Sequence, residues 1–249
     1  MAGHSKFKNI MHRKGAQDKK RAKEFSRLGR EISVAVKVGG DDPENNIRLR
    51  SAITSAKGLN MPKENIERAI KKGQGNDPDS NYEEVRYEGY GPDGVAIIVE
   101  ALTNNKNRTA AEIRSTFSKY GGNLGETGSV SFGFERLGNI SINKNSVNEE
   151  DLFEFLVENE TDDYEVSDNE YIIFCDQNKL HQLNEKIVRE YGNTNYSNLI
   201  WKSKNTINID KESADKLFKL LEILEDNDDV QVVSSNFEVD EAVMSSLTS

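Results

Sequence analysis

Lysine and arginine are the side chains that neutralise phosphate, and this sequence crowds them at its front. The stretch GHSKFKNIMHRKGAQDKKRAKEF, residues 3–25, holds Lys6, Lys8, Arg13, Lys14, Lys19, Lys20 and Lys23, with His12 among them. Against a polyanion such residues gain affinity by releasing condensed counterions, so their density matters more than their order. Phe7 and Ile10, interleaved with the cations, offer an anchor on the chain's own fold or a surface for stacking on an exposed base. Lys6, Lys8, His12, Arg13, Lys14, Lys19, Lys20, Lys23 and Arg27 are therefore nucleic-acid-binding candidates, and Lys71 and Lys72 are secondary ones. No recognition helix of the helix-turn-helix kind and no base-reading Asn or Arg pair is identifiable, which points to backbone contact before sequence reading.

Other chemistries find less support. TNNKNRT, residues 103–109, leaves a strand and enters a helix, so Lys106 and Arg108 beside outward N–H groups make a candidate phosphate loop. The bland alternative there is a polar loop whose Asn side chains satisfy the helix start. GGNLGETGSVSF, residues 121–132, has four glycines but follows a helix where a phosphate loop should precede one, and reads as a set of turns. His4 and His12 are eight apart, His181 is distant, and no cysteine pair exists, so no metal ligand set and no cofactor is expected. The acid runs ENETDD (158–163) and EDNDD (225–229) lack the partners of a two-carboxylate hydrolase and read as solvated loop charge. No nucleophile triad is discernible, and nothing demands an enzyme.

The cations need a scaffold, and the charge distribution outlines it. Residues 1–75 carry 18 Lys and Arg against 8 Asp and Glu, whereas residues 76–249 carry 15 against 35. A split of this size within a chain of net charge −10 argues for parts with different partners. From Ala16 to Val38 the apolar spacing is helical: Phe25, Leu28, Ile32, Ala35 and Val36 share one arc. Lys19, Lys20, Lys23, Arg27, Arg30 and Lys37 fall on the opposite side as a cationic outer stripe. Asp42 as N-cap and Pro43 at the first position start a second helix, and Pro62 opens a third that Lys71, Lys72 and Gly73 close.

After the linker GQGNDPDSN the texture changes to alternating strands and helices. VRYEGY and GVAIIVEAL flank a turn at 91–94, RTAAEIRSTFSKYGG is a helix, and SVSFGFER resumes strand character. From GNISI to SNLIWKS the order is strand-helix-strand-strand-helix-strand, the ferredoxin-like string, and NTINID, SADKLFKLLEILED and VQVVSSNFE then add strand, helix, strand. The expected fold class is α+β. A three-helix domain over 1–75 precedes an α/β domain in two halves, 76–136 and 205–249, with a ferredoxin-like domain, 137–204, inserted between them. Cys175 is the only cysteine and sits in the apolar run YIIFCD, so it is expected to be a buried thiol. No apolar stretch approaches the roughly 20 residues of a membrane span, and no secretory signal is present, so no membrane partner and a cytoplasmic location are expected.

The words themselves are also familiar. AGHSKFKNIMHRKGAQDKKRAKEFSRLGREI, DDPENNIRLRSAI, NMPKENIERAIKKG, YEEVRYEGYGPDGVAIIVEALTNNKNRTAAEIRSTFSKYGGNLGETGSVSF and LEILEDNDDVQVV closely resemble the YebC/PmpR family. The resemblance runs nearly end to end and is most specific over residues 2–135. Two departures are local: VENETDDYEVS replaces the alanine- and glycine-rich acidic turn of the family, and Ile47 stands where the family has proline. The resemblance implies a three-domain fold, no catalysis, and a role as a cytoplasmic DNA-binding transcriptional regulator. Relatives that activate mitochondrial translation, or are linked to the ribosome, imply the alternative of a translation factor on ribosomal RNA. A phosphate-ligand sensor or enzyme using 103–109 and 121–128 is a third expectation, of a different class.

Overall fold

The computed structural model describes residues 17–75, 81–161 and 163–240, with side chains from Arg21 onward in the first segment. The expected first helix forms as α1 (Gln17–Gly39), followed by α2 (Ile47–Gly58) and α3 (Lys63–Gln74). Ile32, Ala35 and Val36 of α1 meet Leu49, Ala52 and Ala56 of α2 and Ile66 and Ala69 of α3 in one core, with Phe25 and Leu28 packed against it. Gly73 does not close α3 but lies within it. A Cβ there would come within 2.5 Å of the Ser33 carbonyl oxygen and 2.7 Å of the Val36 Cβ, so glycine lets α1 and α3 approach closely. The buried Ser33 hydroxyl reinforces the crossing by donating to the Ala69 carbonyl at 2.8 Å.

The cap of α2 differs from the expectation. Asn46 takes the role, accepting from the Leu49 N–H at 3.1 Å, while Asp42 closes the preceding turn by accepting from the Glu44 N–H at 3.0 Å. Asn46 wins because its amide also donates to the carbonyls of Ala35 and Gly40, each at 2.7 Å, tying the end of α1 to the start of α2. Ile47 is thereby the first residue of α2, 51% exposed, after a residue with extended backbone (φ −116°, ψ 93°). Proline is suited to that position, where the N–H lies outside the intrahelical ladder and an extended predecessor is required. Ile47→Pro is expected to stabilise the protein by about 0.4–1 kcal/mol, through the unfolded chain, measured as a rise in urea midpoint.

The second unit begins with β1 (Glu83–Tyr90) and β2 (Ala96–Thr103), joined by the expected turn at 91–94, where Asp93 and Gly94 take left-handed φ values of 54° and 74°. Then come α4 (Lys106–Lys119) and β3 (Asn123–Leu124). After an excursion the chain returns with β8 (Ile207–Asn208), α7 (Lys211–Asp226), β9 (Val230–Ser235) and β10 (Phe237–Glu238). The strands order as β3-β1-β2-β9, with β10 and β8 pairing in parallel as a separate ribbon. Val95, Ile97 and Val99 take the helices on one face, packing with Ile113 and Phe117 of α4 and Leu217, Leu220, Leu221 and Leu224 of α7. Ala96 and Ile98 face the other way and pack with Val130, Phe134 and Trp201. Burial of both faces explains why AIIVEALT reads as a continuous apolar run and not as an alternation.

The excursion is the ferredoxin-like domain: β4 (Phe134–Asn143), α5 (Glu149–Glu158), β5 (Asp163–Val166), β6 (Glu170–Asp176), α6 (Leu180–Tyr191) and β7 (Tyr196–Ser203). Its sheet, ordered β5-β6-β4-β7, is antiparallel throughout. SVSFGFER and GNISI are not two strands. β4 is continuous and pairs with β7 from Phe134 onward, so the boundary drawn at 136/137 cuts a strand of this sheet. Cys175 is buried in its core, 1% exposed. The three units touch one another. The guanidinium groups of Arg86 and Arg136 both lie against the Trp201 ring, at 5.1 and 5.0 Å from its centroid, and Arg50 of α2 donates to Nε2 of His181 on α6 at 2.7 Å.

Candidate nucleic-acid interface

Lys6, Lys8, His12, Arg13 and Lys14 lie outside the described residues. Lys19 and Lys20 are placed only as backbone in the first turns of α1. For Lys23, Arg27 and Arg30 the expectation of an outward, solvent-facing surface is corrected, while Lys37 is exposed. Lys23 Nζ meets a carboxylate oxygen of Asp226 at 2.8 Å. Arg27 donates to the Glu225 carbonyl at 2.5 Å, and Arg30 donates to the Asp228 carbonyl at 2.5 Å and to the Asp229 carboxylate at 2.8 Å. Lys37 continues the row by donating to the Asn81 side chain at 2.6 Å. The cationic stripe is thus the face by which α1 docks on the second unit, and the acidic corner between α7 and β9 is what receives it. Part of the charge split is therefore intramolecular complementarity.

Asp229 organises that corner, and for this residue the reading of EDNDD as solvated charge is corrected, whereas Asp226 and Asp228 are exposed. Asp229 itself is 4% exposed. One carboxylate oxygen accepts from Arg30; the other accepts from Arg108 at 2.6 Å, Thr109 at 2.7 Å and Thr103 at 3.1 Å. Burial pushes this carboxyl up, but the hydrogen bonds from Arg108, Thr109 and Thr103 and the Arg108 charge outweigh it and hold it below the usual carboxylate range. The loop at 103–109 does gather an anion, and the anion is the chain's own. Asn105 caps α4 by accepting from the Arg108 N–H at 3.1 Å, and Lys106 pairs with Glu83 at 2.5 Å. The candidate phosphate loop of Lys106 and Arg108 is filled from within.

The glycine-rich stretch has the same logic. Glu88, 1% exposed, accepts from the N–H groups of Val130 and Ser131, each at 2.9 Å, across the turn in which Gly128 has a φ of 96°. Burial opposes the ionised form of Glu88, yet these backbone donors, with Gly128 among them, and the Arg86 charge keep its pKa lowered. The backbone nest that a ligand phosphate would need is occupied by a side-chain carboxylate.

What remains on the helical unit is a second cationic surface. Arg68, Lys71 and Lys72 stand at i, i+3 and i+4 on α3 and are all exposed. Arg68 and Lys71 have no ionic partner among the described residues. Lys72 reaches Tyr82, with Nζ 3.1 Å from the hydroxyl and 5.2 Å from the ring centroid, and Arg30 stacks on the same ring at 5.4 Å. Lys71 and Lys72 were legible as a pair; Arg68 and Tyr82 were missed. The spacing of Arg68 to that pair was the signal for one, whereas Tyr82 sits beyond the linker, where sequence gives no hint of a return to α3.

The N-terminal part of the chain, residues 5–76, matches the family model for the N-terminal domain of the TACO1/YebC protein, and residues 82–237 match that for the TACO1/YebC second and third domain. Among solved structures, the chain is similar to the crystal structure of a conserved hypothetical protein, Aq1575, from Aquifex aeolicus. That likeness has a TM-score of 0.82 and 46% identity, and covers 89% of this chain and 91% of that one. Together the two models account for nearly the whole described fold, and the chain belongs to the TACO1/YebC family, a family of regulators.

Proposed function

We propose that the protein is a non-enzymatic, nucleic-acid-binding regulator of gene expression that holds phosphates with its helical unit. The carrying observation is the exposed Arg68, Lys71 and Lys72 row on α3, which the helix crossing at Ser33 and Ala69 sets alongside the middle of α1. The two places where a small phosphate ligand would compete, at 103–109 and 128–131, hold Asp229 and Glu88 instead. No His, Cys, Asp or Glu cluster suited to a metal occurs among the described residues, and no described helix is long and apolar enough to cross a membrane. The first reading is DNA-binding transcriptional regulation. A second, a translation factor on ribosomal RNA, is favoured by one observation: the α1 stripe is docked against the acidic corner and is not free to lie along a major groove.

Crosslinking in living cells, followed by sequencing of both bound DNA and bound RNA, separates the two. Enrichment at promoters supports the first, and enrichment of ribosomal RNA with co-sedimentation on ribosomal particles supports the second. Recovery of neither polymer above background contradicts both. A DNA reader should also exceed its own non-specific binding by about 10³ or more at physiological salt.

A further inference from the structure

We propose that the groove between α1 and α3 is the seat of a single-stranded segment of nucleic acid, a placement that rests on the nucleic-acid reading above. The groove encloses about 500 Å³ and is lined by Phe25 and Arg30 of α1, Arg68 and Lys72 of α3, and Tyr82, over a floor of small residues that includes Gly29 and Ala69. Its lining holds Arg68 and Lys72, with Arg30 already paired to Asp229, together with two aromatic rings and no carboxylate. Arg68 is exposed and has no ionic partner among the described residues. Tyr82 holds Lys72 by its hydroxyl and ring, so that cation is ordered before a ligand arrives, while Arg30, stacked on the same ring and paired to Asp229, closes the wall and holds no phosphate.

Shape decides between strand and duplex. A protein reads a duplex by projecting a helix or ribbon into a groove roughly 12 Å wide. Here the surface is concave, and the helix that could project, α1, is held on one side by the helical core and on the other by Asp226 and Asp229. A cationic channel with aromatic walls suits a single strand, whose backbone follows the positive charge while its bases turn onto apolar surface. Phe25, only partly buried, supplies that surface beside the charges. The ligand class is therefore unpaired RNA or DNA, such as a loop or an opened strand, held by phosphates and stacking.

The test uses the full-length protein with fluorescein-labelled 20-mers of mixed sequence, as single-stranded RNA, single-stranded DNA and the matching duplex, at 150 mM salt. The expected result is tenfold or greater preference for the single strands. Arg68→Ala should lower single-strand affinity at least fivefold and leave duplex affinity within twofold, while Lys119→Ala on α4 changes neither. Strands carrying 5-iodouridine should photocrosslink to peptides containing Phe25 or Tyr82. Duplex binding equal to or tighter than strand binding overturns the groove but leaves the nucleic-acid reading intact, as does an unchanged single-strand affinity in Arg68→Ala. Failure to bind any of the three overturns both.

Discussion

Asp229→Ala is expected to destabilise the protein by about 3–5 kcal/mol at neutral pH, because it strips a buried anion from two arginines. Arg108 and Arg30 each lose their carboxylate partner, and the hydroxyls of Thr103 and Thr109 lose a shared acceptor. For a chain of this size the loss corresponds to a fall in Tm of roughly 6–20 °C. The effect carries a pH signature. A carboxyl whose folded pKa is depressed stabilises fully above its unfolded value, about 3.9, and that contribution vanishes as pH falls through the folded value. The gap between wild type and variant should therefore be full at pH 7 and shrink below about pH 4, where the wild type loses the same interactions. Thermal melts at pH 7 and pH 3 measure both arms. A fall of less than about 2 °C at pH 7 would mean that the corner is ornamental. Because Arg30 also leaves α1 for this corner, the variant should loosen the seating of α1 on the second unit, seen as faster amide exchange in β2 and β9.

The second large effect concerns binding. The combined replacement Arg68→Ala, Lys71→Ala and Lys72→Ala is expected to weaken affinity for nucleic acid by 100-fold or more, equivalent to about 2.8 kcal/mol. Charge-assisted contacts to phosphate are individually worth about 1.5–3 kcal/mol, and three of them need not add fully to reach that figure. The three side chains are exposed, so their loss should leave the fold intact and Tm within a few degrees. By contrast, Lys23→Ala with Arg27→Ala should cost stability more than affinity, since those cations are spent on Asp226 and the Glu225 carbonyl. Fluorescence anisotropy and a thermal melt on each variant distinguish the two faces.

Much of this architecture was legible in the residues. The first helix, the turn at Asp93-Gly94, the ferredoxin-like order and the split α/β unit all follow from local pattern, because each element's burial is written in its own period. The direction of the cationic stripe was not legible. Helical periodicity tells which side chains share a face, not what meets that face, and the partner of Lys23 lies 203 residues away. Asn46 and Asp42 are equally good caps in isolation; tertiary bonds from Asn46 to Ala35 and Gly40 decide between them. Asp229 looked like one acid among five in EDNDD. Only the fold shows that Thr103, Arg108 and Thr109 converge on it from another strand and helix. The candidate site was thus half readable: Lys71 and Lys72 as charge, but Arg68, Tyr82 and the groove only as a consequence of how α1 and α3 cross.

The slope of log affinity against log salt counts the phosphates that the helical unit neutralises, at roughly 0.7 per contact on a single strand and 0.9 on a duplex. With five or six contacts the full-length protein should give about −3.5 to −4.2 on a single strand, and the Arg68, Lys71 and Lys72 triple variant a slope shallower by about 2. The Lys23 and Arg27 double variant should keep the wild-type slope. A triple variant whose slope matches wild type, or a double variant that alone flattens it, would place the phosphates elsewhere and contradict the assignment of the polyanion to α3 and the groove beside it.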